Sequence, residues 1–138
     1  MNALADQLIP PDEWPGGKDS GVTNFIDTQL IGPYARFQET YRKGLKAIDE
    51  ACNLLYKSQF EKLLPEQQMA FLENMETGKI KTTGFENGFD KVFFEIMLDH
   101  AMQGYYGSSR HGGNKNNMSY RMLQLDYPLI IGQNRYKT

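Results

Sequence analysis

The sequence predicts an all-α fold, a small irregular helical bundle with a Gly/Asn-rich loop and an extended C-terminal tail. Three observations carry that reading. Apolar residues recur at steps of three and four through most of the chain, as in Tyr34, Phe37, Tyr41, Leu45, Ile48, Cys52 and Leu55. Prolines and glycines fall between these stripes, at Pro10-Pro11, Gly32-Pro33, Pro65 and Gly78, where helices begin and end. Nowhere is there the sustained apolar/polar alternation of a half-buried strand. At 138 residues the chain is expected to form one domain, 1–138, long enough to bury a core.

Residues 2–9 read as a short apolar helix closed by Pro10-Pro11. A loop rich in Pro, Gly and Asp follows to Gly21, with Trp14 packing on the body or serving as an interface anchor. Val22, Phe25, Ile26 and Leu30 lie at helical spacing and predict a helix over 22–31. Pro33 suits the first turn of the long helix marked by the Tyr34–Leu55 stripe. Its other face carries Glu39 and Lys43, then Lys46 and Glu50, as a wetted face should. Cys52 lies within the stripe and reads as a small buried apolar residue rather than a nucleophile.

Residues 58–64 continue as a short or broken helix. Pro65 opens another, with Met69, Leu72 and Met75 on its inner face, and 79–84 is a polar connector. Residues 85–103 form the most apolar helix, with Phe85, Phe89, Val92, Phe93, Phe94, Ile96, Met97, Leu98, Ala101 and Met102. In so small a domain one helix can scarcely be surrounded by its own chain, so part of this surface is expected to meet a partner.

Gly104 is placed just past that helix, where a positive φ costs glycine nothing. Gly107, Gly112 and Gly113 follow, then Asn114, Asn116 and Asn117, residue types that enter left-handed backbone readily. Asn116 or Asn117 caps a short helix with Met118, Arg121, Met122 and Leu123, and Tyr127-Pro128 stops it. Beyond lies Leu129-Ile130-Ile131-Gly132, an apolar run in a polar tail, which either packs back on the bundle or extends along a second chain.

Composition narrows the function. The net charge is −2 and gives no reason to expect nucleic acid or an anionic membrane, and no apolar run is long enough to span a bilayer. The charge is uneven, however. Residues 104–138 hold five basic side chains against one acid, on a body with ten against sixteen. One cysteine allows neither an internal disulfide nor a cysteine-based metal site, and no Cys-x-x-Cys-His haem motif occurs.

The search for chemistry is as short. No Gly-x-Ser-x-Gly elbow occurs, and Gly112-Gly113-Asn114-Lys115 lacks the Gly-Lys-Ser/Thr of a phosphate loop. His100, on the apolar helix beside Asp99, reads as a satisfied core or rim residue. His111, in the glycine loop, has no cysteine or acidic cluster near it in sequence to complete a metal site. No catalytic, cofactor-binding or metal residue is assigned. The loop is expected to be a rigid docking surface, with Asn114 bonded to backbone. Tyr105, Tyr106, Tyr120 and Tyr127 around it either contact a partner or seal it to its own core. The expected interface residues are Tyr106, Arg110, His111, Gly112, Gly113, Asn114, Tyr120, Tyr127 and Pro128. The alternative is a self-sufficient ligand-binding module or enzyme built on Arg110, His111 and Asn114.

The His111-Gly112-Gly113-Asn114 loop, the aromatic Tyr120 on a short helix and Leu125-x-Tyr127-Pro128 resemble the small-subunit family of gluconate 2-dehydrogenase, subunit 3 or gamma chain. Leu4-Ala5-Asp6-Gln7-Leu8-Ile9-Pro10 and Gly21-Val22-x-x-Phe25-Ile26-Asp27-x-Gln29-Leu30 agree with it in the same order. The chain departs at Ser119-Tyr120, where the family commonly has Gly-Trp, and at Asp126, where it has glycine. The resemblance implies a non-catalytic subunit that stabilises an FAD-dependent large subunit of the glucose-methanol-choline type, often beside a cytochrome c subunit. The FAD would sit in the large subunit and none in this chain. The family's twin-arginine export implies a periplasmic protein, membrane-associated through its partners and co-exported with the large subunit. An export signal, if any, lies outside this chain.

Overall fold

The computed structural model describes residues 1–123. Among them are six α-helices and no strand: α1 Asn2–Leu8, α2 Val22–Leu30, α3 Gln38–Tyr56, α4 Pro65–Glu76, α5 Phe89–Tyr106 and α6 Met118–Met122. The all-α expectation holds. Tyr127, Pro128 and the apolar run at 129–131 lie outside the described residues, as does the extended tail.

The bundle is organised around α5, which contacts α1, α2, α3, α4 and α6. Phe93, Met97 and Ala101 on it are fully buried. A single helix is thus largely surrounded by its own chain, against expectation, leaving only Val92, Met102 and Tyr106 as its well-exposed large apolar side chains. Glycines at the crossings make this possible. A β-carbon on Gly44 of α3 would strike the Phe93 ring, and one on Gly104 would lie 2.8 Å from the ring of Phe25. Both neighbours therefore approach α5 more closely than any larger residue would permit.

Gly104 accordingly does not end the helix. It is buried inside α5, which runs on to Tyr106. The long stripe also begins later than expected, as a 3₁₀ turn over Ala35–Phe37 precedes α3. The buried face of α3 is Tyr41, Gly44, Ala47, Ile48, Ala51 and Cys52, while Leu55 stands exposed. On α4 the inner residues are Gln68, Phe71, Leu72 and Met75, at i, i+3, i+4 and i+7, and Met69 is turned outward. Gln68 hides this face in the sequence because it is polar. Its amide donates to the Phe60 carbonyl and its oxygen accepts from Gln7, so its burial is satisfied. The 58–64 stretch reduces to a 3₁₀ turn at Phe60–Lys62, and another turn, Glu86–Gly88, precedes α5.

Asp90, in the first turn of α5, is buried and accepts a hydrogen bond from the Ile80 amide at 2.9 Å. This ties the α4–α5 connector to the start of α5 and sets the two helices antiparallel. Cys52 is completely buried, and burial pushes its thiol up to about 12, which keeps it protonated and unreactive. His100 is also a core residue. Its Nδ1 lies 2.8 Å from the Tyr41 hydroxyl, its ring stacks on Tyr34 at 4.5 Å, and Phe37 meets it edge-on. Neighbouring Asp99 turns outward and accepts from Gln103 instead.

Candidate docking surface

The loop from Gly107 to Asn117 folds back against the end of α5 and the segment that leads into α2. Its backbone geometry is demanding. Gly112 has φ of 99°, and Asn114, Asn116 and Asn117 have φ of 43°, 58° and 53°. All lie in the left-handed region where glycine and asparagine are the least strained residues. The asparagine cluster is therefore a backbone specification, as the sequence suggests. Asn117 stands at the N-terminal end of α6, yet no side chain caps that helix.

Asn114 is the keystone. It is fully buried, its Nδ2 donates to the Gly107 carbonyl at 2.7 Å and its Oδ1 accepts from the Ser119 amide at 2.8 Å. One side chain thereby ties the start of the loop to the first turn of α6. Gly113 lies directly on the backbone of Gly104, and a β-carbon there would collide with the Gly104 carbonyl. Two further bonds fix the loop to the other flank: Asn24 Nδ2 donates to the Gly112 carbonyl at 3.0 Å, and the Lys115 amide donates to the Ser20 carbonyl at 2.8 Å.

The tyrosines divide. Tyr105 and Tyr120 are buried, whereas Tyr106 is 41% exposed. The Tyr105 hydroxyl donates to the Pro15 carbonyl at 2.9 Å and lies against the sulfurs of Met118 and Met122. These two rings seal the loop to its own body. The expected interface set divides in the same way. Gly113, Asn114 and Tyr120 are internal framework, Gly112 is half-buried, and Tyr106, Arg110 and His111 face outward. Lys115 and Arg121 are exposed beside them, and no acid occurs between 104 and 123. The outer face is thus basic, on a rigid backbone.

Arg110, His111 and Asn114 do not converge on a ligand position. Arg110 Nε approaches the Nε2 of His111 at 3.3 Å at the surface, while both ends of the Asn114 amide are committed to backbone. Among the described residues no group of three or more His, Cys, Asp and Glu side chains could hold a metal ion. Nor is any helix among them long and apolar enough to cross a membrane.

Sequence comparison decides the lineage. The family model described as gluconate 2-dehydrogenase subunit 3 matches residues 1–126, which include every described helix and the whole loop. The chain belongs to the gluconate 2-dehydrogenase subunit 3 family. This is a family of small subunits of dehydrogenase complexes. No curated protein and no solved structure matches the chain. Within this subunit, sequence reasoning missed the anchors on the far side of the loop, Ser20 and Asn24, nearly ninety positions away in the chain. Only the Gly21-Val22 family motif pointed to that stretch.

Proposed function

We propose that this subunit docks on an FAD-dependent large subunit of the glucose-methanol-choline type through the outer face of the 107–117 loop. The large subunit carries the flavin and oxidises a sugar, sugar acid or glycoside. This chain stabilises it and supplies no catalytic group. A cytochrome c subunit takes the electrons, and the assembly works in the periplasm after twin-arginine co-export of the folded pair.

The observation that carries the reading is how the loop is built. Its internal residues, Gly113 and Asn114, hold the backbone in a strained shape, and its outer residues, Tyr106, Arg110 and His111, make no comparable structural bonds. A strained, over-determined surface segment without a reaction centre is suited to recognition. Family membership supplies the kind of partner. The basic outer face fits an acidic patch on the large subunit, which would speed association and make it salt-sensitive.

The test is reconstitution of the complex with Arg110→Glu, His111→Ala and Tyr106→Ala variants. The reading expects Arg110→Glu to slow association about tenfold and to flatten its salt dependence. Tyr106→Ala should speed dissociation. Variants that bind as the parent does would move the docking surface elsewhere.

A further inference from the structure

A groove on another side of the molecule lies between α1, α4 and α5. Leu8, Met69, Leu72, Phe94 and Leu98 line it, Glu73 and Glu76 stand along it on α4, and it encloses about 230 Å³. Met69 is 53% exposed there. An aliphatic floor beside two carboxylates suits a short apolar segment followed by basic side chains. The chain carries such a segment in Leu129-Ile130-Ile131, followed by Arg135 and Lys137. We propose that the groove is the seat of this C-terminal run of the same chain.

Position supports the assignment. Phe94, Leu98, Ala101 and Tyr105 lie on one stripe of α5, at i, i+4, i+7 and i+11. Tyr105 is where α6 rests, through Met118 and Met122. The chain therefore leaves α6 on the same stripe of α5 that floors the groove. Reach is sufficient. Tyr105 and Leu98 are about 10 Å apart along the helix axis, and the six residues from Leu123 to Leu129 can span up to about 20 Å.

The order of charges also agrees. Because α4 and α5 are antiparallel, a segment running back along α5 from α6 meets Leu98 and Met69 first and Glu76 last. In the tail, the aliphatic run likewise precedes Arg135 and Lys137. The basic end of the chain thus finds acids of its own body. The tail then completes the bundle, and the outer face of the loop remains for the dehydrogenase.

The test uses the full chain with Met69→Cys and Ile130→Cys, oxidised mildly at low concentration and mapped by peptide mass spectrometry. Met69 is half exposed, so its replacement spares the core, and buried Cys52 stays out of the reaction. The control pair is Val92→Cys with Ile130→Cys. Val92 is 48% exposed at the level of Phe94 but about 200° around α5 from it. The seat predicts an intramolecular disulfide in the monomer, formed about tenfold faster with Met69→Cys than in the control. Adding Glu73→Lys and Glu76→Lys should slow it several-fold. Equal rates in the two pairs overturn the proposal, as does a link found only in covalent dimers, which would seat the tail of a second copy. A rate indifferent to the two lysines overturns the ordered docking.

Discussion

Gly113 rests on the carbonyl of Gly104 with no room for a β-carbon between them. Two glycines nine positions apart therefore bring the loop backbone and the last turns of α5 into direct contact, and Gly104 meets Phe25 of α2 on its own β-carbon side. The loop, α5 and α2 share one joint. The sequence suggests that a bulky residue at Gly113 would disturb the loop alone and leave the bundle intact. The contact with Gly104 places the end of α5 under the same strain.

Gly113→Ala should accordingly lower stability by about 1–3 kcal/mol, the usual cost of overpacking a site that cannot give way. The obstacle is backbone, so repacking of side chains offers little relief. Urea denaturation followed by circular dichroism checks it: the midpoint should fall with little change in slope. A midpoint within error of the parent would mean that the loop is not seated as described.

Asn114→Ala removes both bonds that link Gly107 to Ser119 and leaves a buried carbonyl and a buried amide without partners. It also puts alanine at a φ of 43°, which asparagine tolerates better. The expected loss is about 2–4 kcal/mol, at about 1–3 kcal/mol for each stranded group with partial relaxation. Thermal unfolding of the variant measures it. If the loop were merely draped on the surface, the change would stay within about 0.5 kcal/mol.

Gly44→Ala opposes two effects of known size. Alanine in a helix interior gains about 1 kcal/mol over glycine. Here its methyl group would strike the Phe93 ring, which is itself fully buried against Tyr41 and Phe89. Overpacking of about 1–3 kcal/mol outweighs the gain, so the variant should be destabilised. A more stable Gly44→Ala protein would show that α3 can move away from α5 at little cost.

His100 gives the fold a pH dependence of defined sign. Burial holds its imidazole below the usual histidine range, so the folded state binds its proton less readily than the unfolded chain. The unfolded state therefore carries more protons just below the ordinary histidine value of about 6.5, and stability falls as the pH drops through it. The contribution is complete above that value and is lost progressively down to the lowered one. The melting temperature should decline from about pH 7 to about pH 5.5, and His100→Phe should flatten that part of the profile. An identical decline in the variant would assign the effect to other groups.

Much of this architecture is legible in the residues. Pro33, Pro65 and the 3–4 stripes mark the helices because those signals depend on local backbone chemistry and one-sided burial. The left-handed asparagines are legible for the same reason. What escapes is set by contacts across the fold. Gly104 reads as a stop, yet it is a mid-helix notch for Phe25. Gln68 reads as surface, yet it lies inside with both ends bonded. Asp90 gives no sign of being the buried acceptor for Ile80. Of the expected docking residues, Tyr106, Arg110 and His111 are outside and Gly113, Asn114 and Tyr120 inside, because a loop this constrained must spend some residues on its own support.

Native mass spectrometry of the chain purified gently from its host tests the account most directly. The account predicts a stable complex of this 15.8 kDa subunit with a large flavin-containing protein, weakened by Arg110→Glu. A lone monomer, with no affinity for any flavoprotein dehydrogenase of the host, would contradict it.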